Sequence, residues 1–530
     1  MFIKKVKIVN FKRFKGEFTI ELNKGINILV GDNEAGKSTI LEAIHLALTG
    51  IFNGRYLKNE LNQYLFNNKV VEEFIDNLKQ GKNVDLPFIL IELYFEGDNL
   101  AIFEGTNNID KDQVPGISFK IAFDENYKKE YEQLIQSGEI KTLPIEYYDI
   151  FWTSFARENI TSRSIPIKSA MIDSSSNRYQ NGSDIYISRI IRDNLEVEEM
   201  VSVSQAHRKM REYFMDDNTI KKINKKIQDN TTLSGKKVTL SVELLSKNAW
   251  ENSLMTYLDE VPFHFIGKGE QCIVKTELAL SHKKSKEANV ILMEEPENHL
   301  SHSKLNTFIK RIKEFQKDKQ IIISTHSSFV ANKLGLDHLI LLNDNKTVKF
   351  DQLNDNTKRF FEKIAGYDTL RLILCKKAIL VEGDSDELIV QKAYMNHNNG
   401  KLPIEDGIDV ISVGTSFLRF LEIAEKISKP VVVVTDNDGD IQALENKYEK
   451  YINGQFSSYI KICYDPVVDK GDLMIRSKPF NYNTLEPKIV KVNKLNKLNK
   501  IFDTSYKTVD ELRFGACHRP KFVEILVIER

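Results

Sequence analysis

Cysteine is scarce. Among 530 residues there are four, Cys272, Cys375, Cys463 and Cys517, with no Cys-x-x-Cys pair and no clustered histidine beside them. That excludes a disulfide scaffold and a zinc module, and points to a reducing cytoplasm. Long apolar runs are missing too: no uncharged stretch approaches the roughly 18 residues that span a bilayer. The opening MFIKKVKIVNFKRFK interrupts its apolar residues with Lys and Arg too often for a secretory leader, so a soluble, non-secreted protein is expected. Net charge is absent as well, since 75 basic residues balance 75 acidic ones, and any pull on a polyanion must come from local patches. There is no internal repeat and no long heptad array, which excludes a long coiled coil. What is present is ordinary globular material, 41% hydrophobic and 28% charged with 30 Phe and 19 Tyr. At roughly 100 to 200 residues per domain, this length predicts two to four units.

Residues 2 to 30 alternate apolar and polar positions and then run into Ile26-Asn27-Ile28-Leu29-Val30, two half-buried strands followed by a buried one. FILIELYF and ISFKIAF, within 88 to 123, return to strand character. Residues 155 to 260 are rich in Ser and Asn and then helical, carrying Lys221, Lys222, Lys225 and Lys226. From 290 onward VILM, IIIS, LILL, AILV and VVVV are short apolar runs without alternation, separated by helix-length segments. Such runs suit parallel strands covered on both faces, and two α/β units account for them. The polar stretch 343 to 358 marks a boundary at or just after it.

Between the run ending at Val30 and the helical spacing Ile40, Leu41, Ile44, Leu48 lies Gly31-Asp32-Asn33-Glu34-Ala35-Gly36-Lys37-Ser38, a full match to G-x-x-x-x-G-K-S/T. Glycines let backbone N–H groups curl around phosphate oxygens, and the helix start adds its positive end. Lys37 reaches the β- and γ-phosphates and Ser38 can ligate Mg²⁺. A chance glycine turn requires neither the strand before nor the helix after. The loop needs an acidic partner, and VILMEEPENHL supplies a buried strand ending in Glu294, expected to hold the metal, and Glu295, the expected general base. After IIIS comes Thr325-His326-Ser327, where His326 is expected to sense the γ-phosphate; alone it would read as a surface histidine.

Ahead of the acidic strand, Gly267-Lys268-Gly269-Glu270-Gln271 opens a helix and resembles the signature motif of ABC-type ATPases, as Pro296-Glu297-Asn298-His299 resembles their D-loop. The opening IKKVKIVNFKRFKG resembles the first strand of the RecF/SMC/Rad50-like branch. The resemblance implies ATP held by Asn33, Gly36, Lys37, Ser38 and Thr39. Gly267, Gly269 and Gln271 would close on it from a second copy, hence at least a dimer. No Q-loop stands out.

The last third opens with AILVEGDSDE, a buried strand ending in Glu382 and followed by Asp386; about 50 residues later VVVV leads to Asp436 and Asp438. Carboxyl ends of neighbouring parallel strands meet in one crevice, so these acids converge there. Converging carboxylates repel unless a cation sits among them, and oxygen ligands at this density suit Mg²⁺ or Mn²⁺. Acids also cap strand ends merely for solubility, so either half alone says little. Together, in this order, they resemble the Toprim domain of topoisomerases, primases and certain nucleases.

An ABC-type ATPase followed by Toprim resembles the OLD (overcoming lysogenisation defect) family of ATP-dependent endonucleases, to which the nuclease subunit of the Gabija anti-phage system also belongs. The implied fold is α/β: an ATPase domain at 1–154 and 261–350, a helical insertion at 155–260 that is either a dimerisation arm or an insertion without a partner, a linker at 351–375, and a Toprim domain with a Rossmann-like parallel sheet at 376–530. The resemblance makes Glu382, Asp386, Asp436, Asp438 and the later Glu486 metal ligands, with Glu382, Asp436 and Asp438 catalytic beside Glu295 and His326. It also implies a basic residue near the C-terminus, for which Lys507, Arg513 and Lys521 are available, while Glu387 has no assigned role. After Glu486, Lys488, Lys491, Lys494, Lys497 and Lys500 recur every three residues beside Val492, Leu495, Leu498 and Ile501, with no acid between Pro487 and Phe502. On one helix that is a basic strip above a packed one, a phosphate-contacting face or simply a solvated one.

The expected function is therefore an ATP-dependent or ATP-regulated DNA endonuclease with a two-metal site, in anti-phage defence. Its expected partners are DNA, further copies of itself and a protein from the same defence operon. The rival is a RecF/SMC-like repair ATPase that binds DNA without cleaving it. A topoisomerase-like enzyme would need a presented tyrosine and an accompanying domain, which the sequence does not offer.

Overall fold

The computed structural model describes residues 1–516 except 54, 83, 138–139, 174–178, 181–182, 185–194, 230–239, 241–255, 282–287, 299, 316–318, 344–345, 365–367 and 476. The chain divides into two compact units, Met1–His326 with His338–Thr347, and Ser327–Asp337 with Val348–Arg530. No described helix is long and apolar enough to cross a membrane.

The first unit contains two six-stranded sheets. The antiparallel one runs Glu17–Glu21, Phe2–Val9, Ile89–Glu96, Val114–Phe123, Glu104–Gly105, and Val114–Phe123 also pairs Tyr148–Ser154. Its alternation reaches the core: Ile3, Val6 and Ile8 are fully buried while Lys4 is exposed. The other sheet, parallel over its first five strands, runs Ser169–Asp173, Val290–Glu294, Gln320–Ser324, Ile26–Val30, Leu339–Asn343, Lys346–Lys349. All five residues of Ile26–Val30 are buried, as runs without alternation require. Helix Lys37–Thr49 packs into the same core as both sheets, burying Ile40, Leu41, Ile44 and Leu48 with Ile8, Phe119 and Leu292. Each such side chain contributes about 1.5–3 kcal/mol by leaving water. Gly50, at φ +69°, ends the helix by donating its N–H to Leu46 O.

Strand Ser169–Asp173 lies inside the stretch expected to be a helical insertion, and pairs in parallel with Val290–Glu294 from Ser169↔Val290 to Asp173↔Glu294. The central sheet therefore resumes before the helices Val197–Asp216 and Asn218–Asp229, the second of which exposes Lys221, Lys222, Lys225 and Lys226.

The second unit is built on a four-stranded parallel sheet in the order Ile408–Ser412, Lys377–Val381, Val431–Val434, Ile460–Cys463. The expected linker 351–375 is a packed element of this unit instead. It holds helices Asp355–Lys363 and Thr369–Leu374, and buries Phe361, Leu370, Leu372 and Ile373, too much apolar surface for a tether. Helix Ser328–Leu334 belongs with it: the Thr369 hydroxyl donates to buried Asn332 Oδ1 at 2.7 Å.

Candidate functional site

The strand Ile26–Val30 delivers its loop at the carboxyl edge of the parallel sheet. Gly31 and Gly36 are required there. A Cβ at Gly31 would stand 2.9 Å from Leu342 O, and Gly36 sits at φ +103° with the Phe14 ring 2.6 Å from where its Cβ would be. Arg13 Nε donates to Glu34 O at 2.7 Å, bracing the loop from outside. Lys37 is buried and folds back to donate to Gly31 O (2.8 Å) and Asp32 O (2.9 Å); burial lowers its pKa, opposed by Glu295, Asp32 and Glu294. Thr39 is buried and Asn33 exposed.

One strand, Gln320–Ser324, separates this loop's strand from Val290–Glu294, which brings Glu294 against the helix start: the Ser38 hydroxyl donates to Glu294 Oε1. Glu295 leaves the strand at φ +39°. Its Oε2 accepts from Asn298 Nδ2 at 2.8 Å, and its Oε1 lies 3.4 Å from His326 Nε2. Burial and the Lys37 charge lower the His326 pKa against the pull of Glu295 and Asp32, which favours the neutral imidazole. Glu297 and Asn298, read only as part of a turn, thus touch the expected site residues, as Arg13 and Phe14 touch the loop. A carboxylate two residues after Glu295 was the available signal. His299 lies outside the described residues.

At the signature-like segment, Gly267 is exposed with open space where a Cβ would stand, and its carbonyl accepts from Glu270 N and Gln271 N. Gly269 follows in the first turn of helix Lys268–Ser281. Gln271, expected among the nucleotide contacts, is buried and donates to Phe263 O (3.0 Å) and Ile266 O (2.8 Å), so its amide braces the turn into this helix.

In the second unit, Glu382 and Asp436 follow adjacent paired strands, with Leu380 opposite Val433. Asp386 stands on the first turn of helix Asp384–His397 and accepts from Gly383 N at 3.0 Å. Asp438 is exposed at φ +49° and accepts from Asn481 Nδ2 at 3.0 Å. Buried Asn437 fixes that bend by donating to Asp465 O (2.6 Å) and Val467 O (3.1 Å) and accepting from Gly439 N (3.0 Å).

These acids feel one another. Burial, then Asp386, Glu382 and Asp438, push the Asp436 carboxyl up to about 7. Burial, Asp438 and Asp386 raise Glu382, with Lys447 opposing; burial raises Asp386 against its Gly383 bond, and Glu486 adds to the rise. Among the described residues no three Asp, Glu, His or Cys side chains stand close enough together to hold a metal ion. What the structure shows is that Glu382, Asp386, Asp436 and Asp438 act on one another through their charges, and that Glu486 acts on Asp386; carboxylate oxygens are the ligands a hard divalent cation takes. Glu387 stands apart, 4.0 Å from Arg371, which forks onto Asp409 at 2.6 and 3.0 Å.

The basic strip is not one helix. It is split into Leu485–Val492 and Leu495–Phe502 by Asn493, which has extended backbone. Nor is it free of acids in space: Lys488 pairs with Asp465 (2.6 Å) and Asp469 (2.8 Å), and Lys491 with Asp469 (2.6 Å). Lys494, Lys497 and Lys500 stay exposed. Arg513 lies 4.8 Å over the Tyr482 ring and pairs with Asp510, Lys507 is exposed, and Lys521 falls outside the described residues.

A family model described as an AAA domain matches residues 5–373, and one described as overcoming lysogenization defect protein-like, TOPRIM domain, matches 373–438. The DNA replication and repair protein RecF of Clostridium tetani is 30% identical over 86 residues, 16% of this chain and 23% of that protein. The structural maintenance of chromosomes protein 3 homolog of Plasmodium falciparum is 30% identical over 123 residues, 21% of this chain and 10% of that protein. The chain thus spans about a quarter or less of the length of these curated relatives. Among solved structures, an SMC head bound to the C-winged helix domain of ScpA covers 66% of this chain and 99% of its own, at 15% identity and a TM-score of 0.35. With its P-loop and acidic strand in the first unit and its carboxylates in the second, the chain belongs to the AAA-domain family over residues 5–373 and carries an OLD-like Toprim domain behind it, the arrangement of an OLD-family ATPase–Toprim fusion.

Proposed function

We propose that the chain is an ATP-dependent or ATP-regulated DNA endonuclease, in which the nucleotide site sets when or where the Toprim carboxylates hydrolyse a phosphodiester bond. The observation that carries this reading is that Glu382 and Asp436 follow adjacent parallel strands and that Asp386 and Asp438 raise the carboxyls of both, with Glu486 adding to the rise of Asp386. Such crowding is costly unless a cation is bound. When bound, two Mg²⁺ or Mn²⁺ ions supply an activated water and counter-charge for the leaving 3′-oxygen. Glu382, Asp436, Asp438, Asp386 and Glu486 would hold them, with Asn437 and Asn481 aiming Asp438 and the Gly383 N–H aiming Asp386.

At the nucleotide, Lys37 would leave Gly31 O and Asp32 O for the phosphates. Ser38 and Glu294 would share a Mg²⁺, Glu295 would take the proton of the attacking water, and neutral His326 would donate to the γ-phosphate. Asn33, Gly36 and Thr39 complete the cradle; Gly267 and Gly269 of a second copy would close it, hence a homodimer or larger assembly. Lys494, Lys497 and Lys500 offer DNA a sequence-independent contact. A cytoplasmic anti-phage role, with a partner from the same operon, fits the likeness to OLD-family nucleases.

Purified protein incubated with supercoiled plasmid and Mg²⁺ or Mn²⁺, with and without ATP, tests this beside Glu382→Ala and Lys37→Ala. Cleavage lost in Glu382→Ala supports the nuclease, and the Lys37→Ala series tells whether nucleotide drives or restrains it. A second reading, a RecF- or SMC-like ATPase that binds DNA without cutting it, is favoured by the RecF and SMC relatives that the chain resembles over part of its length. It predicts nucleotide-dependent DNA binding and intact plasmid.

A further inference from the structure

The turn after the acidic strand holds a buried carboxylate whose two oxygens differ. Glu297 Oε1 accepts from the Thr325 hydroxyl and, at 3.0 Å, from the His326 backbone N–H. Glu297 Oε2 is buried with no hydrogen-bond partner among the described residues. An unsatisfied buried oxygen costs about 1–3 kcal/mol. Burial raises the Glu297 carboxyl, and a neutral acid eases that cost while leaving Oε1 free to accept. The next residue works on the other side of the turn: Asn298 Nδ2 donates to Glu295 Oε2 at 2.8 Å, and Asn298 N to Glu295 O at 3.1 Å. Two consecutive side chains therefore hold two groups whose spacing matters, Glu295 Oε1 and His326 Nε2, 3.4 Å apart.

We propose that Glu297 is a positioning residue for ATP hydrolysis: it pins the Thr325-His326 backbone to the turn that carries Glu295, and so sets the distance between the proton acceptor and the group facing the γ-phosphate. The inference rests on the reading of Glu295 and His326 as hydrolytic residues. It differs from a folding role in what it leaves alone. Lys37, Ser38 and the glycine loop bind nucleotide without Glu297, so its loss acts on turnover and spares affinity. Misplacement of reacting groups by about 1 Å can cost on the order of a hundredfold in rate.

Steady-state ATP hydrolysis by the full chain over a range of ATP concentrations tests this, with Glu297→Ala, Glu297→Gln and Thr325→Val alongside and a thermal melt of each. Gln keeps both the length and the Oε1 acceptor of a neutral acid. The expected result is a kcat lowered about tenfold or more in Glu297→Ala with KM for ATP within about twofold, near-complete rescue in Glu297→Gln, and an intermediate loss in Thr325→Val. Turnover of Glu297→Ala equal to wild type overturns the proposal. So does a fall in which KM and melting temperature move together and Gln does not rescue. A wild-type chain that binds ATP and never hydrolyses it overturns the underlying reading of the nucleotide site, and this inference with it.

Discussion

Gly36 shows how a single residue decides a site. At φ +103°, with the Phe14 ring 2.6 Å from where a Cβ would stand, it admits no side chain. Gly36→Ala is expected to cost about 1–3 kcal/mol of stability and to lower ATP affinity at least about tenfold, read from thermal melts and nucleotide titration. Asp436 shows the opposite, a residue kept against stability. Its carboxyl is raised from 3.8 to about 7, so between these values the unfolded chain releases a proton that the folded chain retains, and metal-free stability falls as pH rises through that window. Because Asp436 is only half-buried and screened by water, the loss is on the order of 1–2 kcal/mol rather than the full shift. Metal-free protein should melt lower at pH 8 than at pH 5.5, Mg²⁺ should recover the difference, and Asp436→Asn should raise the metal-free midpoint while removing the response to Mg²⁺. A midpoint that does not move with pH, or an Asp436→Asn chain that still responds to Mg²⁺, would count against the metal site.

At the scale of elements, local signals were legible in the sequence and spatial ones were not. Gly31 to Ser38, Glu294-Glu295 and the strands before Glu382 and Asp436 stand out because each depends on a few adjacent residues between recognisable neighbours. Ser169–Asp173 did not, since SAMID lacks a β-branched run and its partner Val290–Glu294 lies more than a hundred residues on. The lysine periodicity after Glu486 promised one helix, but Asn493 breaks it, and Asp465 and Asp469, outside the run, reach Lys488 and Lys491 in space. For Glu297 the sequence offered only its place two residues after Glu295, because only the fold brings Thr325 to it. The strip therefore divides by role. Replacing Lys494, Lys497 and Lys500 by Ala should weaken DNA binding evenly across sequences and reduce the salt slope by about one for each phosphate left without its lysine. Lys488→Ala should instead lower the melting temperature, because it leaves Asp465 and Asp469 with less compensation. A triple variant that binds DNA with unchanged salt dependence would return those lysines to the solvated surface.

At the scale of the whole molecule, the proposed closing of Gly267 and Gly269 from a second copy over the nucleotide is read in the mass of the assembly, and Gly267 is exposed as that proposal requires. Glu295→Gln, expected to bind ATP without consuming it, should shift in light scattering from 61.1 kDa toward twice that mass when ATP and Mg²⁺ are added, and Lys37→Ala should not. One chain carries a nucleotide site and a carboxylate site, and in the proposed function the second cuts DNA. The most direct measurement is cleavage of supercoiled plasmid in Mn²⁺ or Mg²⁺ by wild type and Glu382→Ala at matched concentration. Nicked or linear product from wild type, absent from Glu382→Ala, is the predicted result; intact plasmid from both, with ATP hydrolysis unimpaired, would contradict it.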